Sequence, residues 1–117
     1  MSYSPEAAFV AWLKARGYDA AQYMRDDAAG VFVTVERTGG GVYDLVDRPE
    51  FALQVWAPTS AQALQAATDL RTALLITAPP RGFSALEIDS GPYPFPDPDS
   101  RRPRYQIAVT AACILTD

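Results

Sequence analysis

The stretch RPEFALQVWAPTSAQALQAATDLRTALLITAPP, Arg48 to Pro80, sets a strand directly against a helix, and its reading decides the fold. Phe51, Leu53 and Val55 face one way and Ala52, Gln54 and Trp56 the other, the period of a β-strand. Pro58 stops that strand. Thr59 or Ser60 then caps a helix rich in the best helix formers, since a short hydroxyl side chain satisfies a free backbone N–H at a helix start. Leu64, Ala67, Leu70/Arg71 and Leu74 mark one side of it, Gln62, Gln65, Asp69 and Thr72 the wet side, and Pro79-Pro80 end it.

Upstream, VFVTVERTGGG (Val31–Gly41) reads as a half-buried strand, with Val31, Val33 and Val35 alternating with Phe32, Thr34 and Glu36. Gly39, Gly40 and Gly41 end it as a flexible hairpin tip, because glycine accepts φ > 0. They do not read as a phosphate cradle: the following VYDLVDRP offers neither a helix nor a Lys. The segment Tyr18–Gly30 is ambiguous, with a short strand at Ala21–Met24 and a turn at Asp26-Asp27 as its best reading. Before it, SPEAAFVAWLKARG (Ser4–Gly17) predicts a helix. Ser4 is its N-cap, Pro5 its first residue and Glu6 a complement to its dipole. Phe9, Trp12, Leu13 and Arg16 share a face, Trp12 as a core anchor, and Gly17 terminates.

Downstream, GFSALEIDSG (Gly82–Gly91) predicts a shorter strand, with Leu86 and Ile88 opposite Glu87 and Asp89. RYQIAVTAACILTD predicts the last strand, with Tyr105, Ile107, Val109, Ala111 and Cys113 on one face. Its other face, Gln106, Ala108, Thr110 and Ala112, is small and polar, so it is either solvated or closely packed. The expected fold is α+β: a mainly antiparallel four- to five-stranded sheet with two helices on one face, in the order α-β-β-(β)-α-β-β, forming one domain over residues 1–117.

Composition removes most chemistry. The 117 residues are 49% apolar and 21% charged, as in an ordinary globular domain. The longest apolar runs are too short to cross a bilayer, so no membrane partner is expected. The N-terminus shows neither a basic nor an apolar signal region, which predicts synthesis and use in a cytoplasm. A net charge of −4 argues against general nucleic-acid affinity. Lys14 is the only lysine among ten basic residues; the Arg bias suits interfaces, and a GC-rich genome would also produce it. With no histidine and only Cys113, the Ser-His-Asp arrangement, an intrachain disulfide and Cys-based zinc are all excluded. Cys113 lies in an apolar strand pattern and reads as core filler. No catalytic residue, cofactor or metal ligand is assigned. The paired carboxylates are local and turn-like, and Asp97/Asp99 lacks the ligand series and central Gly of a calcium loop.

One stretch remains: SGPYPFPDPDSRRPR, Ser90–Arg104. Pro92, Pro94, Pro96 and Pro98 predict an extended, polyproline-like arm of low ordering entropy. It presents Tyr93 and Phe95 as aromatic anchors and Asp97, Asp99, Arg101, Arg102 and Arg104 as charge partners, the composition of a contact surface. The alternative is an inert connection draped over its own core.

FVTVERTGGG, then VDRPEFALQVWAPTSAQALQAATDLRTAL, then GPYPFPDPDSRRPRYQIAVTA, taken in that order, resemble tail terminator proteins of long-tailed bacteriophages, especially those of actinobacteria. The matching positions are Arg37-Thr38-Gly39-Gly40, Asp47-Arg48-Pro49, Trp56-Ala57, Thr59-Ser60, Asp97-Pro98-Asp99-Ser100 and Pro103-Arg104-Tyr105, spread over Phe32 to Thr110. The chain departs from the family pattern in PYPFP and in the doubled Arg101-Arg102. The resemblance implies structural work, not catalysis. Such proteins form a ring, typically a hexamer, on the finished tail tube in the virion; the ring stops polymerisation, docks the head connector and lets DNA pass. It also implies that Arg37, the Gly39–Gly41 hairpin and the Tyr93–Arg104 arm contact other subunits, in a ring assembled in the host cytoplasm. The alternatives are a head-closure or tail-completion protein of the same virion, a small ligand-binding or enzymatic α+β domain, and a dimeric adaptor.

Overall fold

The Ser4 hydroxyl accepts a hydrogen bond from the Ala7 N–H at 3.1 Å, and helix α1 (Pro5–Ala15) starts there, with proline in its first turn. The computed structural model describes residues 3–25 and 27–115. α1 buries Phe9, Trp12 and Leu13, as the apolar spacing predicts, and Gly17 turns the chain away at φ 89°. The Trp12 indole N–H donates to the Ala78 carbonyl at 2.8 Å, which ties α1 to the far end of the chain's second helix.

Strands β1 (Ala20–Ala21) and β2 (Phe32–Gly39) follow, then a small hairpin of β3 (Val42–Tyr43) and β4 (Val46–Asp47), then β5 (Glu50–Trp56). Helix α2 (Ser60–Ile76), capped by Thr59, leads into a long hairpin of β6 (Phe83–Pro94) and β7 (Arg104–Ile114). In space β1, β2, β5, β7 and β6 lie side by side; β4 continues the line of β5 along the same edge of β7, with β3 outermost.

The α+β class and the two helices match the expectation; the sheet does not. Among the described residues it has seven strands, and it is mixed because β1 runs parallel to β2. The extra strands β1, β3 and β4 are two residues each, too short to show an alternating pattern in sequence. β1 falls at Ala20–Ala21 rather than Ala21–Met24, and part of the expected Asp26-Asp27 turn, Asp26, lies outside the described residues. β6 runs through Pro94, beyond the expected end at Gly91. Proline is tolerated there because β6 is an edge strand, so the missing N–H leaves no ladder bond unmade.

One face of the sheet carries the core. Val33, Val35, Phe51, Leu53, Val55, Ile107, Val109, Ala111 and Cys113 pack against Phe9, Trp12 and Leu13 of α1 and Ala67, Leu70 and Leu74 of α2. Phe9 meets Phe51 and Phe83 edge-on at 5.3 and 5.6 Å, geometry that favours aromatic quadrupoles. On α2 the buried positions are Ala63, Ala67, Leu70 and Leu74, whereas Leu64 is exposed. The two alanines let the helix backbone lie close to the sheet.

The other face is also covered at one end, which half-buried strands did not predict. Phe32 and Trp56 are buried there beneath Ala28, with Ala21 and Met24 packed at the margin. The stretches around Met24 and Ala28 therefore cover the sheet, and β2 and β5 become two-sided core strands at that end.

Candidate interaction surface

On the face away from the helices, pairing register aligns Thr34, Gln54, Gln106 and Tyr93 in one row across β2, β5, β7 and β6. Their side chains join. Thr34 Oγ1 donates to Gln54 Oε1 at 2.7 Å, and Gln54 Nε2 donates to Gln106 Oε1 at 3.1 Å and to Glu36 Oε1 at 3.0 Å. Gln106 Nε2 donates to the Tyr93 hydroxyl at 2.5 Å, and the buried Trp56 Nε1 donates to Thr34 Oγ1 at 3.1 Å. This closed network satisfies the buried Gln54 and fixes strand register. Tyr93 thus belongs to the sheet and does not project.

The row beside it runs Phe32, Trp56 and Arg104. The Arg104 guanidinium lies 4.8 Å from the Trp56 ring and 4.7 Å from the Phe95 ring, and its Nε donates to the Phe95 carbonyl at 2.5 Å. Arg102 Nη2 donates to the Ala28 carbonyl at 2.8 Å, holding the hairpin tip to the covering segment. Asp97 accepts from the Ser100 hydroxyl at 2.6 Å and from the backbone N–H groups of Ser100 and Asp99; the Ser100 bond leads in holding its carboxyl below the usual range. The tip between Phe95 and Pro103 is therefore a preformed turn pinned to its own molecule. Of the three arm arginines, only Arg101 presents a guanidinium with no partner among the described residues; it is exposed at φ 60°. Asp99 is exposed as well, and Phe95 is partly so.

The glycine turn is built more tightly than a flexible tip. A Cβ on Gly40 would collide with the Arg48 carbonyl oxygen, and its φ is +91°. Gly41 accepts a hydrogen bond from Arg48 N–H at 3.0 Å, and Gly39 lies beside the Glu50 side chain. Arg37 grips Asp47 bidentately at 2.6 and 2.7 Å, donates to the Gly39 carbonyl at 3.0 Å and lies 3.8 Å from Glu6. Its charge braces the base of the β3–β4 hairpin inside one chain.

What that base holds out is the feature the sequence reading missed. Val42, Tyr43 and Leu45 are 60%, 82% and 67% exposed, and Ile114 of the adjoining β7 end is 51% exposed. Asp44 and Leu45, the two turn residues, sit at φ 54° and 65°, as a tight two-residue hairpin demands. Asp favours that geometry; Leu adopts it at a cost of about 1–2 kcal/mol. The usable signal was VYDLVD itself, two apolar pairs flanking an aspartate.

Among the described residues, no group of three or more His, Cys, Asp or Glu side chains is placed to hold a metal ion. No helix there is long and apolar enough to cross a membrane. Comparison with known protein-family models and with curated protein sequences gave no match.

Proposed function

We propose that this chain is a bacteriophage tail terminator, a structural protein whose copies close into a ring on the tail tube. The observation that carries the reading is the β3–β4 hairpin: Val42, Tyr43 and Leu45 face solvent on a rigidly braced support, and apolar side chains so placed suit a subunit contact. It sits within the RTGG–DRP segment on which the resemblance to tail terminators rests. A ring needs a heterologous interface, one surface meeting a different surface of the next copy. The second contact element is the β6–β7 tip, preorganised by Asp97, Arg102 and Arg104, with Asp99 and Arg101 exposed at its end. Preorganisation lowers the entropy lost on docking.

In this reading one ring face stops the tail tube and the other receives the head connector, in a virion neck assembled in the host cytoplasm. The ring is a hexamer, and its net negative subunits let DNA pass without adhesion. The test is polymerisation of the tail tube protein encoded in the same genome, with and without this chain. Shortened tubes with this protein at one end are expected. Unchanged tube lengths with no bound chain overturn the assignment, and binding to the connector alone points to a head-closure protein.

A further inference from the structure

The hairpin requires a receptor, and the same chain carries one of matching chemistry. Between α1 and β1 runs an open groove lined by Ala7, Val10, Ala11, Ala20, Ala21 and Tyr23, with a volume near 420 Å³. Its walls are mostly small and apolar, with Gln22 and Tyr23 as the exceptions. One charged side chain borders it, Lys14, which is exposed and makes no ion pair among the described residues. The hairpin tip is the counterpart: two apolar side chains, Tyr43 and Leu45, with exposed Asp44 between them, also without an ion pair among the described residues.

Topology keeps the two apart within one molecule. β1 pairs with Val33 and Thr34 near the start of β2, whereas β3 follows the far end of β2 after Gly39, so the hairpin and the groove are separated along the strand direction. A projection past one end of β2 and a groove beside its other end suit a head-to-tail contact between copies, the heterologous kind that a ring uses. The knob is apolar, as is most of the groove, and each brings a single charge of opposite sign.

We infer that the β3–β4 hairpin of one copy inserts into the α1–β1 groove of the next, with Asp44 meeting Lys14. This rests on the ring reading and names the surface that receives the hairpin. Leu45 in a left-handed conformation then has a role: it holds an apolar side chain at the tip where Gly would relieve the backbone.

Lys14 is the only lysine, which makes the contact chemically addressable. The test is zero-length carbodiimide cross-linking of the purified full chain, with peptide mapping, alongside sedimentation. An intermolecular amide between Lys14 and Asp44 is expected. Tyr43→Ser or Leu45→Ser weakens association about tenfold or more, since each removes buried apolar area. Asp44→Lys and Lys14→Asp each weaken it, and the two reversals in one chain restore it. Ile76→Ser, at an exposed apolar position on α2, leaves it unchanged. Association that persists with no Lys14–Asp44 link and no effect of either reversal overturns this contact while sparing the ring. A chain that stays monomeric at every concentration overturns both.

Discussion

Two residues in the glycine turn and its hairpin show opposite uses of the left-handed region. Gly40 has no alternative: its φ of +91° and the Arg48 carbonyl oxygen, which occupies the space a Cβ would need, exclude any side chain. Gly40→Ala is expected to cost about 2 kcal/mol or more, read as a lowered urea midpoint, because both the backbone and its neighbour must shift. Leu45, by contrast, carries a strain that another residue would relieve. Leu45→Gly should leave the monomer as stable or more stable by about 0.5 kcal/mol, as relieved strain slightly exceeds added chain entropy. It should weaken self-association in the same preparation. A variant that loses fold stability instead would place Leu45 in the monomer's own packing.

At the scale of elements, the β6–β7 hairpin departs most from the sequence reading. Four alternating prolines suggested an extended contact arm, with a connection draped over its own core as the alternative; Pro92, Tyr93 and Pro94 lie inside an edge strand, and the tip is fastened by Arg102 and Arg104. The three arm arginines are therefore not equivalent. Arg102→Ala should destabilise by about 1 kcal/mol through the lost bond to Ala28, while Arg101→Ala should stay within about 0.5 kcal/mol of wild type in thermal unfolding. Equal effects would show that the tip is not pinned as described. Both helices and the four long strands were legible because each has enough residues to display its period, and Ser4 and Thr59 announced their caps. β1, β3 and β4 were not, since two residues have no period. The burial of Phe32 and Trp56 on the second face was illegible for another reason: the covering segment around Ala28 has no pattern of its own. Arg37 and Asp47, ten residues apart, gave no local sign that they would pair. Gly39–Gly41 were legible as a turn, while the exposed side chains of Val42, Tyr43 and Leu45 lie just beyond it.

At the scale of the whole molecule, the core and the proposed assembly make separate demands. Burial raises the Tyr3 and Tyr18 hydroxyls and the Cys113 thiol above their ordinary values. The folded chain thus holds protons that the unfolded chain releases, so the stability these three groups contribute is level at lower pH and falls as pH climbs above about 9, where the unfolded thiol ionises. Denaturant midpoints taken at increasing pH should decline from there, and Cys113→Ala should delay the start of the decline; a flat profile would mean these groups are solvated. Beyond the monomer, the proposed ring requires that copies of this chain close head-to-tail through a braced apolar hairpin. Negative-stain electron microscopy of the concentrated protein tests it most directly. Closed rings of about six copies with an open centre are the expected result, as a heterologous contact whose rotation closes gives a ring. Uniform monomers or two-fold dimers would contradict it.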